Sequence, residues 1–136
     1  MRSRLKSVFA VLLAFVAAGV IMLIFETVNG KVLHPELGKA AEGMTDREAV
    51  RALFATAPIG AFLVVILGWI VGSFAGGWIA ARLAGHAPVR HALSLGGLVL
   101  LGGIVNNLML PPPLWFWPAS LVFLLPAAYA GGRLVR

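Results

Sequence analysis

The chain has 136 residues, of which 60% are hydrophobic and only 12% charged; its mean hydropathy is +0.96 and its formal net charge +6. A soluble domain carries about 25% charged residues, so the composition excludes a soluble or disordered chain and points to an integral membrane class. With no cysteine, disulfides, thiolate metal centres, iron–sulfur clusters and cysteine nucleophiles are excluded as well.

Residues 8–25 carry no charge. One helix needs about 20 apolar residues to cross the hydrocarbon core, and the pattern predicts a first span over 5–29. Arg2, Arg4 and Lys6 precede it, and Val16-Ala17-Ala18 resembles a signal-peptide cleavage site. The apolar run continues past that site to Phe25, so the segment is expected to stay as a signal anchor.

Residues 30–55 form the one substantial loop. Thr45-Asp46-Arg47-Glu48 fits a capping box, in which a hydroxyl is followed three residues later by a glutamate. Ala49, Val50, Ala52, Leu53 and Phe54 then suit a short helix lying at the membrane interface or docking a partner.

The second charge-free run, 52–81, predicts a helix over 56–84. It holds Gly68, Gly72, Gly76, Ala80 and Ala84 at four-residue spacing, with Ser73, Gly77 and Ala81 in a parallel row. Small residues so spaced let a second backbone approach closely, which matters in lipid because burial of apolar surface adds little drive for helices to associate. Packing is the expected role of Gly68, Gly72, Ser73, Gly76, Gly77 and Ala80, against this chain or another. The following short turn carries His86 and His91 beside Arg82 and Arg90, a basic cluster suited to anionic lipid.

The third run, 92–132, is long enough for two spans. Asn106-Asn107 and Pro111-Pro112-Pro113 break it, because consecutive prolines remove donors and impose extended backbone. Helices over 89–108 and 114–134 follow. Trp115 and Trp117 fall where an interfacial aromatic belt is expected, with Trp78 and Tyr129 nearer the other face.

The expected fold is therefore an all-α membrane four-helix bundle in one domain. Orientation follows from the cations. With both termini inside, Arg2, Arg4, Lys6, Arg82, Arg90, Arg133 and Arg136 are all cytoplasmic, with no acid among them. Lys31, Lys39, Arg47 and Arg51 outside are balanced by Glu36, Glu42, Asp46 and Glu48. The net charge is mostly this bias, and no basic stripe with interleaved aromatics suggests nucleic acid.

Residues 28–37 and 105–114 share Val, Asn, Leu, Pro and Leu at matching positions, and Arg82-Leu83 is echoed by Arg133-Leu134. The echo suggests two tandem helical hairpins related by a pseudo-two-fold along the membrane normal, with Glu26 opposite Gly103.

Polar groups within a membrane are costly and invite a functional reading. Glu26, Asn29, His34, Asn106 and Asn107 fall at similar depth near the outer boundary. They form either a polar pocket or a set of helix-end caps. Glu26 is the candidate for carrying a proton. The sequence offers no metal-ligand spacing, no catalytic set and no phosphate-binding glycine loop, and it implies no cofactor.

The elements Glu26, Asn29 and Leu33-His34-Pro35, then Gly68-Trp69-Ile70-Val71-Gly72-Ser73-Phe74-Ala75-Gly76-Gly77-Trp78-Ile79-Ala80-Ala81-Arg82, then Asn107 through Trp115 resemble a family of small four-helix bacterial inner-membrane proteins. The resemblance implies a bacterial inner membrane and four spans, without an activity. Three function classes follow: a non-enzymatic accessory subunit packing against other membrane helices, a small oligomeric transporter coupled through Glu26, or a membrane enzyme acting on lipid or quinone.

Overall fold

The computed structural model describes residues 2–136. Among them the architecture is all-helical: α1 (Arg2–Val28), a π-helical turn (Asn29–Leu33), α2 (Pro35–Ala41), α3 (Arg47–Thr56), α4 (Ile59–Ala84), α5 (Pro88–Met109), α6 (Phe116–Leu121) and α7 (Leu124–Arg133). Three segments are long and apolar enough to cross a membrane: α1 with its π-turn, α4 and α5.

The fourth segment departs from expectation, because 114–134 is not one helix. Residues 122 and 123 separate α6 from α7. Pro126 has no N–H to offer the Val122 carbonyl, and its ring would crowd that carbonyl in a continuous helix. Pro118 and Pro126 instead each sit in the first turn of a short helix, where no intrahelical donor is required.

The α4 helix ends at Gly85, whose N–H makes the last bond to the Ala81 carbonyl and whose left-handed backbone (φ +75°) then turns the chain away. Pro88 then opens α5 at a position that needs no donor. Ala87 between them is left-handed without being glycine, at φ +43°.

Helix α4 packs on α1, α5 and α7. Its two rows of small residues face different neighbours. A Cβ added at Gly68 would meet the Phe25 side chain at 2.6 Å, and one at Gly72 the Ala18 carbonyl and Met22 at 3.0 Å. Ala10, Ala14 and Ala18 supply the matching small row on α1. On the other row, Gly77 meets the Ala128 backbone, and Gly131 of α7 meets the Phe74 carbonyl. Both rows are thus filled from within the chain. Ser73 and Ala80, expected packing residues, are fully buried.

Helix α5 contacts α1, α4 and α7, whereas α1 and α7 lie on opposite sides of the α4–α5 pair. A two-fold exchanging α1 with α5 and α4 with α7 would require α1–α7 packing equivalent to α4–α5 packing. The helices do not show it, so the local echo between 28–37 and 105–114 does not extend to the packing. Phe25 and Lys6 of α1 lie beside Gly68 and Gly85 of α4, and Gly132 of α7 lies beside Ala92 of α5. These pairs place both chain ends and the 85–87 turn at one end of the molecule.

The connection at the other end holds two helices where the sequence suggested one. Pro35 at the first helical position, Glu36 in the first turn and Lys39 in the last are the signals for α2. The cap of α3 is also shifted by one residue: Asp46, not Thr45, accepts from the Ala49 N–H at 3.3 Å. A carboxylate competes well for that role at a positive helix end. Arg47 donates through Nε to the Leu108 carbonyl at 2.9 Å, tying α3 to the last turn of α5. Arg47→Ala is expected to speed amide hydrogen exchange over residues 35–56 while leaving α4 and α5 unchanged.

Candidate functional site

The five polar residues picked from the sequence, Glu26, Asn29, His34, Asn106 and Asn107, line one chamber of about 290 Å³ at the end away from the chain termini. Helix α1 brings Glu26, the π-turn begins at Asn29 and ends before His34, and the last turns of α5 bring both asparagines. Phe54, Phe62 and Phe116 form an aromatic wall, with ring centroids 5.7 Å apart for Phe54–Phe62 and 5.5 Å for Phe62–Phe116.

Asn29 is buried, and its amide orientation is fixed by the backbone. Its Nδ2 donates to the Ala61 carbonyl at 2.9 Å, an atom that can only accept. Its Oδ1 therefore accepts from His34 Nδ1, at 2.7 Å. A neutral His34 must then carry its proton on Nδ1 and keep Nε2 as an acceptor. This pair pins the π-turn to α4. The His34 N–H to Asn29 carbonyl bond, at 2.7 Å, closes the wide turn.

Asn107 behaves differently. It is 1% exposed, and its Nδ2 donates to Ser120 Oγ at 3.2 Å, while Oδ1 has no partner. A buried acceptor without a donor costs about 1–3 kcal/mol. Asn107 is also among the residues lining the chamber.

A second cavity of about 380 Å³ adjoins the chamber and shares Glu26 and Asn106 with it. It lies between α1 and α5, lined by Phe15, Met22, Leu23, Val99 and Gly102, with Trp69 of α4 behind. Glu26 stands at the junction, and Trp69 lines the same cavity. The expected pairing of Glu26 with Gly103 holds only in that both line this cavity. The space beside Gly103 is taken by Trp69 and Leu121, each about 3 Å from where a Cβ would stand.

Three contributors were not singled out for this site from the sequence. Trp69 is buried at 4% exposure and forms the back of the cavity. A tryptophan in mid-span among small residues was its only signal. Gly38 of α2 lies on the Gly30 backbone, so that α2 folds over the chamber with Leu37 and Ala41 on its wall. The Gly30–Gly38 spacing carries no signal without the turn between them. Trp115, expected as an interfacial anchor, is 40% exposed and also stacks edge-on against Phe62 at 5.6 Å. Trp117 is half-buried and its carbonyl accepts from Ser120 Oγ.

Comparison with known proteins adds no relative: no family model, curated protein or solved structure matches the chain.

Proposed function

We propose that this is a small multi-pass membrane transporter that binds a hydrogen-bond-donating or cationic molecule in the outer chamber, entered sideways between α1 and α5. The membrane reading rests on an inverted distribution of side chains. The interior is rich in alanine, glycine, serine and asparagine, while Leu5, Phe9, Leu12, Leu23, Leu67, Leu101 and Leu114 are exposed. Water does not tolerate so continuous an apolar surface, whereas lipid does. The seven cations gathered at the end that holds the chain termini favour that end as cytoplasmic, in a bacterial inner membrane.

The polar lining of the chamber carries the functional reading: Glu26, Asn29, His34, Asn106 and Asn107 converge on one cavity. Neither lysine nor arginine is among the lining residues, so the chamber suits a donor or a cation and repels an anion. Glu26 at the junction is placed to exchange a bound cation for a proton. The accessory-subunit reading loses its main motif, because both small-residue rows of α4 are occupied within the chain.

The test is native mass analysis of the tagged protein extracted from its own membrane in mild detergent. A non-protein adduct is expected on the wild type and is expected to be absent from Glu26→Gln and Asn107→Leu. Asn107→Leu should unfold close to the wild-type temperature, since it removes an unsatisfied buried acceptor together with the Nδ2 bond to Ser120 Oγ. A different polypeptide at fixed stoichiometry, with no small adduct, would restore the accessory-subunit reading.

A further inference from the structure

The opposite end of the same α1–α5 seam has a different chemistry. A cavity of about 640 Å³ is lined by Arg4, Arg90, His86, His91, Ser3, Ser7 and Ser94, and below them by Val8, Val11, Leu12 and Leu98. Its lining contains no acid, and the only ion pair among the described residues, Arg51–Glu48, belongs to α3 at the far end. Arg4 and Arg90 therefore face the cavity with no carboxylate to neutralise them.

The local hydrogen bonds fix the histidine tautomers and leave the Arg4 and Arg90 guanidiniums as the free donors of the cavity. His91 is more than nine-tenths buried, and its Nδ1 lies 3.0 Å from the Ala87 carbonyl, an arrangement that requires a proton on Nδ1. His86 Nδ1 lies 3.0 Å from the Ala84 carbonyl, and its Nε2 faces Ser7 Oγ at 3.4 Å. Ser7 Oγ itself donates to the Ser3 carbonyl at 2.9 Å, so toward His86 it presents a lone pair. The start of α5 contributes little, because Pro88 has no N–H and both Arg90 and His91 N–H groups point at the Ala87 carbonyl. The side chains make the site.

We propose that this cavity holds the phosphoryl headgroup of an anionic phospholipid from the cytoplasmic leaflet. Arg4 and Arg90 grip the phosphate, and one acyl chain lies along Val8, Leu12 and Leu98. Lipid rather than free phosphate is favoured because the apolar floor is continuous in direction with the groove above, lined by Phe15, Val99 and Gly102. A soluble anion would gain nothing from that floor. The site differs from the cluster expected from sequence: Arg82 is absent from its lining and lies instead over the Trp78 ring, 5.8 Å from the centroid. This inference rests on membrane insertion and is independent of the outer chamber.

Full-length protein in dodecyl maltoside would be titrated with phosphatidylglycerol, and retained lipid read by native mass spectrometry. The double variant Arg4→Gln/Arg90→Gln is expected to retain phosphatidylglycerol about thirtyfold more weakly, from two lost cation–headgroup interactions. Arg82→Gln and Arg133→Gln are expected to match the wild type, and inorganic phosphate at matched ionic strength should not displace the lipid. Equal retention by the double variant would overturn the site. Equal weakening by Arg82→Gln would overturn it in favour of a diffuse charge effect, and displacement by inorganic phosphate alone would overturn the lipid assignment. Unchanged unfolding temperature in the double variant is required for the comparison, and Arg4→Lys/Arg90→Lys, which keeps both charges, should restore most of the retention.

Discussion

Replacing Gly77 or Gly131 by leucine is expected to abolish the folded, monodisperse protein. At both positions the obstacle to a side chain is backbone: the Ala128 carbonyl facing Gly77, and the Phe74 carbonyl and Trp78 nitrogen facing Gly131. A flexible side chain could swing away, but these atoms can move only if α4 and α7 separate along their length. The cost should therefore reach or exceed the roughly 3 kcal/mol upper end of ordinary overpacking. Gly97→Leu provides the contrast, since nothing lies within 4 Å of a Cβ there. That variant should unfold at the wild-type temperature or slightly above, because leucine favours a helix over glycine by up to about 1 kcal/mol. Tryptophan-fluorescence melts of the three detergent-solubilised variants make the comparison. Wild-type stability in Gly77→Leu and Gly131→Leu would show that α4 and α7 are not in this close contact.

Asn29→Leu is the second change with a large expected effect. It removes the bond to the Ala61 carbonyl and the partner of His34 Nδ1 together. Leaving the ring nitrogen unpaired in a half-buried setting, with the π-turn untied, should cost about 1–3 kcal/mol. The damage should be local. Amide exchange is expected to accelerate over residues 29–41, where α2 covers the chamber, with α4 and α5 protected as before. Asn29→Asp should share the loss, since a carboxylate cannot donate to a carbonyl. Wild-type exchange in both variants would mean that the Asn29 bridge does not hold the turn.

The unequal effects expected for Asn29 and Asn107 separate two roles that their chemistry alone does not. Both are asparagines near the ends of apolar helices, and both were candidates from the sequence for either capping or binding. Asn29 is satisfied on both ends of its amide and holds structure. Asn107 is satisfied on one end only, its Oδ1 being buried without a partner. Loss of the first should weaken the fold, and loss of the second should weaken the binding proposed for the chamber.

Much of the architecture was legible from residue order, because its causes are local. Charge-free runs set the long helices α1, α4 and α5, and Gly85 with Pro88 sets the turn between α4 and α5. The grouping of Glu26, Asn29, His34, Asn106 and Asn107 followed from their places near the ends of the long apolar helices, since residues at neighbouring helix ends on one face come together. Other features depend on which surfaces meet. The two small-residue rows on α4 could have served this chain or another, and only packing assigns one to α1 and the other to α7. The echo between the two halves is real in the letters but absent from the packing, because α1 and α7 stand apart while α4 and α5 touch. The break before Pro126, the fold-back of α2 on Gly30 and the unpaired Asn107 oxygen are likewise tertiary outcomes. Helix length and polarity are written in short stretches of sequence. Which acceptor is left without a donor, and which backbone lies within 4 Å of another, depends on several helices arriving at one place.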